Sequence, residues 1–397
     1  MKADSIVGAL LFAGAVLPAQ TTHLVGGPTG LPEIRSAIAI AQPGDILLVE
    51  PGDYAFFGTG VGVTIRAIIP GSVRVIAKPW SVPSPCNSTC VWGVQTLFAL
   101  PPGQSAHVVG VVFASDQVAI ANGSVGNNVV VKGDVSFDRC VFESIRESAL
   151  TISVSSTVHL QECTVRSLGN AGLGVPAMLV GTSNVTAVGC TFQGGASQDG
   201  RAEAISLLAS RLHASGITAI GGTGAVSSAA LRSSSGSIAW ISDSTLMVSS
   251  GACAFQTVFS GLGFFDRTTF MESGSGCASS TPTQKLLGVE RTGSLATGGT
   301  FGATFRAGAV EFVGVWSSQQ PMHVPSTAAT PFAQWLWLEP AQALPVALLL
   351  TNASGVASVA WPIPNVPALR DQRIWFQGLA GPDLPLRTSA LVGGVVR

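Results

Sequence analysis

A chain of 397 residues can build a large core or two domains. Charged residues are only 10% of it, against a usual ~25%, and mean hydropathy is +0.47. Yet no apolar run beyond the N-terminus approaches the ~18 residues of a spanning helix, and 20 basic against 21 acidic residues, net −1 and without basic blocks, argue against a nucleic-acid partner.

The N-terminus carries Lys2, an apolar run from Ile6 to Val16, and Leu17-Pro-Ala19 before polar Gln20. This pattern predicts an export signal over residues 1–19, a mature chain beginning near Gln20, and no membrane span after cleavage. Secretion, or delivery to a bacterial cell surface or periplasm, follows.

Pro32 to Ala41 predicts a helix, because Ile34, Ala37, Ile38 and Ala41 fall at i, i+3, i+4 and i+7 and Pro43-Gly44 ends it. Asp45 to Val49 predicts a strand and Pro51 to Tyr54 a turn. The whole stretch from Glu33 to Tyr54 resembles the opening of the pectate-lyase-like right-handed parallel β-helix superfamily. That resemblance implies a helix capping the first coil, whose backbone and apolar side chains would otherwise stand open. Calcium-binding acids with an Arg or Lys base are common in such lyases, but no Asp-x-Asp or Asp-Asp pair occurs here. No metal or other cofactor is implied.

Thr64–Ala67 and Val73–Ile76 predict further strands, followed by a loop in which Cys86 and Cys90 form a local disulfide candidate. From Ala106 onward a short phrase recurs: Asp138-Arg-Cys-Val-Phe142, Gln161-Glu-Cys-Thr-Val165 and Val188-Gly-Cys-Thr-Phe192. Extended both ways, its register residues are 113, 142, 165, 192, 219, 246 and 270, with spacings of 29, 23, 27, 27, 27 and 24. A period in that range means stacked units. Strands of a β-sandwich would come every 8 to 12 residues without a longer period, so the register predicts a right-handed parallel β-helix. Strand alternation puts Phe142, Val165 and Phe192 on one side and Val141, Thr164 and Thr191 on the other. Cys140, Cys163 and Cys190 are expected to stack as buried thiols packed as small hydrophobes. Cys253 and Cys277, each seven residues past a register residue, are expected to bridge adjacent coils.

Charge is scarce, so its clusters are the candidate sites. Gln198-Asp-Gly-Arg-Ala-Glu-Ala204 interrupts otherwise small, apolar turns, making Asp199, Arg201 and Glu203 candidates for catalysis. Glu143, Arg146 and Arg166 are candidates for ligand binding, with Arg166 one register above Glu143; the simpler reading of both groups, and the preferred one, is solvated turns with a weak surface ion pair from Glu143 to Arg166. His23, His107, His159, His213 and His323 look scattered, and His159 and His213 are expected at the surface beside strands.

Lys285 to Trp316 is expected to complete the β-helix, giving it residues 20–316, and Ser317 to Pro331 reads as a linker. Residues 332–397 hold Trp335, Trp337, Trp361 and Trp375. Around Pro362-Ile-Pro-Asn-Val-Pro-Ala-Leu369 they are similar to a tail module of large bacterial exported proteins, and their alternating strands predict a small antiparallel β-sandwich-like module. Four Trp in so short a segment serve mainly as core, or otherwise as sugar-stacking platforms.

Two functions fit this sequence. One is a non-catalytic structural or glycan-contacting extracellular protein, whose partner is a polysaccharide or cell-surface glycan and whose face shows uncharged stripes. The alternative is a polysaccharide lyase or glycosidase, which requires carboxylates converging in a groove.

Overall fold

The computed structural model describes residues 20–396 apart from 77–94, 115–127, 145–147, 154, 169–174, 198–201, 225–227, 249–251, 272–285, 320, 327–335, 339–341, 367–368, 370–371 and 382–385. The whole of the expected export signal, Cys86, Cys90 and Cys277 lie outside these residues, so the cleavage and both bridges remain expectations. Among the described residues no helix is long and apolar enough to cross a membrane.

The chain divides into two units, the first running from Thr21 to Leu286. It is a parallel β-helix. Each coil contributes a strand to a ten-stranded first sheet, then to a nine-stranded second sheet, then to an eight-stranded third. One coil is Asp134–Asp138, Val141–Ser144 and Leu150–Ser153; the next is Thr157–Gln161, Thr164–Ser167 and Met178–Gly181. Register residues stack as the repeat predicts: Phe113 on Phe142, then Val165, Phe192, Ala219, Leu246 and Phe270. Nearly all are buried in one continuous core, where the Phe113 and Phe142 rings stack at 5.1 Å.

The recurring phrase records a corner. Between the first and second sheets each coil turns through one left-handed residue, among them Arg139 (φ 51), Glu162 (φ 50), Gly189 (φ 63), Gly216 (φ 64) and Asp243 (φ 51). For residues other than glycine this costs roughly 1–2 kcal/mol. The next residue turns inward, and there the cysteines do more than fill space. Each thiol donates to the carbonyl two residues back, Cys163 Sγ to Gln161 O at 3.3 Å and Cys190 Sγ to Val188 O at 3.4 Å. The Cys163 N–H in turn donates to Cys190 Sγ at 3.4 Å. Two coils on, Ile217 N–H donates to Ser244 Oγ at 3.1 Å in the same way. The opposite corner repeats the device with serine: Ser156, Ser183 and Ser210 each donate their N–H to the hydroxyl of the next coil's serine, at 3.2, 3.3 and 3.0 Å. The cysteines are thus buried in the core as expected, and their thiols also make corner hydrogen bonds of the kind serine makes elsewhere.

The helix is shorter than its pattern suggests, Ile34–Ile38, with Ile34, Ala37 and Ile38 buried over the first strands. Its first N–H groups have no side-chain cap, because Glu33 instead accepts from Ala55 N–H at 2.9 Å. Gly52–Ala55, expected as a turn, is a strand paired with Val73–Ile76.

The second unit begins at Leu287, so the β-helix ends thirty residues before the expected boundary. Gly288–Gly293, Thr300–Arg306 and Phe312–Ser318 pair antiparallel, with one another or with strands further along, instead of adding coils. Part of the expected linker is also strand, Phe312–Ser318 reaching into it and Pro321–Ser326 lying within it. The small antiparallel module thus spans Leu287 onward, its three- and five-stranded sheets sharing a core in which Phe376 stacks on Trp361 at 4.5 Å and on Phe301 at 5.0 Å. Trp375 is buried as well, whereas Trp316 and Trp361 are half-buried.

Candidate functional site

Alternation gives each sheet of the β-helix an outer face, and two of these faces carry the polar chemistry. On the second sheet, in-register pairing runs Val141, Thr164, Thr191, Thr218, Thr245 and Thr269 into one outward column. All are half-exposed except Thr269, which is exposed. A second column two residues along reads Glu143, Arg166, Gln193, Ile220, Met247 and Met271. Arg166 Nε donates to Glu143 Oε1 at 2.9 Å, and its Nη2 reaches the same oxygen. Toward the N-terminus Arg74 approaches Asp53 at 3.6 Å, both about half exposed. Arg146 lies outside the described residues.

The Asp199 turn is reached only in part. Asp199 and Arg201 lie outside the described residues, whereas Glu203 is 3% exposed and accepts from Arg232 Nη1 at 3.1 Å. Arg232 stands on the outer face of the third sheet, beside Ser206 and Gln256 in register. Sequence reading passed over it because the contact is diagonal: Glu203 precedes one strand, and Arg232 is inside the strand of the next coil. Among the described residues Glu203 thus meets a cation rather than a second carboxylate.

The outer face of the first sheet was not anticipated. Its central column runs His107, Ser136, His159, Thr186, His213, Trp240 and Phe264. His159 and His213, expected at the surface, are buried at 5% and 1% exposure, and His107 and Thr186 are buried too. His107 Nδ1 shares a hydrogen bond with Ser136 Oγ, His159 Nδ1 shares one with Thr186 Oγ1 at 3.2 Å, and the His213 ring lies 6.2 Å from Trp240. Burial lowers the His159 and His213 imidazoles to about 3, so both are neutral. The neighbouring column holds Asp138, Gln161, Ser215 and Ser242, also buried. One signal could have found this ladder: His107, His159 and His213 each precede a register residue by six positions.

Imidazoles on alternate coils stand two strand spacings apart, roughly 10 Å, too far to share an ion, and no metal-binding group of three occurs among the described residues. Adjacent hydroxyl and imidazole groups are the raw material of a nucleophile and base. Their burial closes them to a polymer, and the ladder serves the fold.

Solved structures similar to this chain include the rice weevil pectin methyl esterase, 13% identical over 66% of this chain and 91% of its own, with a TM-score of 0.39. The deglycosylated pectin methylesterase of Aspergillus niger is 11% identical over 70% and 90%, at 0.35. Tailspike protein 2 of an Escherichia coli O157:H7 bacteriophage is 9% identical over 92% and 66%, at 0.25. No family and no curated protein matches the chain.

Proposed function

We propose that this is an exported, glycan-contacting β-helix protein whose ligand lies on the outer face of the second sheet. The observation that supports this reading is the unbroken, solvent-facing column Thr164, Thr191, Thr218, Thr245 and Thr269. Threonine offers a donor, an acceptor and a methyl group, matching a sugar's mixture of hydroxyl edges and C–H faces. Gln193 and the Glu143–Arg166 pair add polar contacts, and Ile220, Met247 and Met271 add apolar ones. Among its described residues the face carries no converging carboxylates, which a glycosidase would need. A glycan array probed with the mature protein tests the reading: retention of a polysaccharide that is lost in Thr218→Asp supports it, and no retention of any glycan sinks it.

A second reading, a polysaccharide lyase or glycosidase, is favoured by Glu203, a buried carboxylate held by Arg232 and close in sequence to Asp199 and Arg201. The substrates to test include pectins with and without methyl esters. Turnover that survives in Ser206→Ala but is lost in folded Glu203→Gln would establish catalysis over simple contact. Export and redox state have their own tests. Mass spectrometry should find the mature N-terminus near Gln20, and non-reducing peptide mapping should pair Cys253 with Cys277 and Cys86 with Cys90.

A further inference from the structure

The charge and spacing of the second sheet's outer face also say what kind of glycan it suits. From Thr191 to Met271 its outward strand residues are Thr, Gln, Ile and Met, with no ionisable group. The cations on the rest of this face among the described residues are already matched. Arg166 is bound to Glu143 through two nitrogens, and Arg74 faces Asp53. A polyuronate would bring a carboxylate with every sugar to a surface holding no surplus positive charge, and desolvating those carboxylates would go uncompensated. Neutral hydroxyls carry no such penalty.

The threonines repeat every ~4.8 Å along the coil axis. Their branched side chains are restricted at χ1, so successive hydroxyls present a similar direction. A compact oligosaccharide would meet one or two of them, whereas an extended chain lying along the axis meets all five. The other outer faces offer no such track. The first buries its central column and beside it mixes Asp134, Asn184, Arg211, Ile238 and Leu262, and the third mixes Leu179, Ser206, Arg232 and Gln256 in one column.

We infer, building on the glycan-contacting reading, that the ligand is a neutral, extended polysaccharide aligned with the threonine column. The test measures retention of the mature protein by neutral polymers (mixed-linkage β-glucan, xylan and mannan) and by acidic ones (polygalacturonate and alginate), each at low and high salt. Neutral polymers should bind at least about tenfold more tightly, with little change on adding salt, because screening acts on charge. Thr191→Lys with Thr218→Lys should weaken that binding and create salt-sensitive retention by polygalacturonate, while Thr151→Lys on the third sheet should change neither. Circular dichroism would confirm that all variants fold. Tighter, salt-sensitive binding of an acidic polymer by the unaltered protein overturns the inference and leaves the glycan reading standing. So does neutral binding that ignores the paired lysines. If no polymer binds under any condition, the glycan reading itself falls.

Discussion

Thr186 and Thr191 are five residues apart in one coil, both on outward positions of a strand, and they live in different environments. Thr186, on the first sheet, is 1% exposed and bonded to His159; Thr191, on the second, is half-exposed in a column of its own kind. The alternation that builds both faces is identical. A solenoid can therefore give one outer face to internal polar packing and leave another open, with no change in its period. Buried polar groups must be matched one by one, whereas exposed ones can be repeated freely, and the columns differ accordingly: imidazole, hydroxyl, imidazole, hydroxyl on one side, threonine after threonine on the other.

Acid should break the first face before the second. Burial holds His159 and His213 at about 3 in the folded protein, against 6.5 in an open environment. Between those values the unfolded chain binds protons that the native chain does not, so stability is complete above pH 6.5 and falls as pH drops toward 3. Each histidine contributes a slope of about 1.4 kcal/mol per pH unit, so the two together should cost about 4 kcal/mol by pH 5. Urea midpoints across this range measure it, and His213→Gln should halve the slope. A flat profile from pH 7 to pH 5 would show that these imidazoles are not held neutral by the fold.

Thr186→Ala comes next in size. It removes the hydroxyl that His159 Nδ1 bonds and opens a small gap on a buried face. A loss of about 1–3 kcal/mol is expected, read as a lower urea midpoint at unchanged slope. A loss below about 0.5 kcal/mol would place Thr186 among ordinary surface sites and erase the contrast between the faces.

A double-mutant cycle on Glu143 and Arg166 probes the open face. Arg166 is 43% exposed and Glu143 16%, so solvent screens the pair, and a coupling of about 0–1 kcal/mol is expected, smaller at high salt. Coupling that is larger and indifferent to salt would mean that this face is covered too.

Much of this was legible in the sequence because a parallel solenoid converts spacing into contact. Glu143 and Arg166 share a register position, and the strands bring them together. The histidines obey the same rule, but at intervals of 52 and 54 residues they skip a coil each time and look scattered. What spacing cannot convey is cover. An outward residue reads the same whether water or another part of the chain lies over it, which is why His159 and His213 were expected at the surface. Diagonal contacts such as Glu203 with Arg232 also escape a column reading. The end of the β-helix was misplaced for a related reason: Gly288–Gly293 and Thr300–Arg306 alternate like coil strands, and only their antiparallel partners set them apart.

The smallest expected effect is the most informative about function. Thr191→Ala keeps the backbone pairing with Thr164 and Thr218, removes one hydroxyl and one methyl from a half-exposed site, and strands no buried partner. Its cost in stability should stay within about 0.5 kcal/mol. A threonine kept only for its strand preference would be silent in every other assay as well. In a ligand track, the same replacement should leave the melting curve nearly unchanged while weakening polysaccharide retention, and Thr191→Ser, which keeps the hydroxyl, should recover part of it. If Thr191→Ala alters neither stability nor retention when a glycan demonstrably binds, the threonine column is scaffold and the ligand sits elsewhere. If it destabilises as much as Thr186→Ala, the two faces are not different in kind.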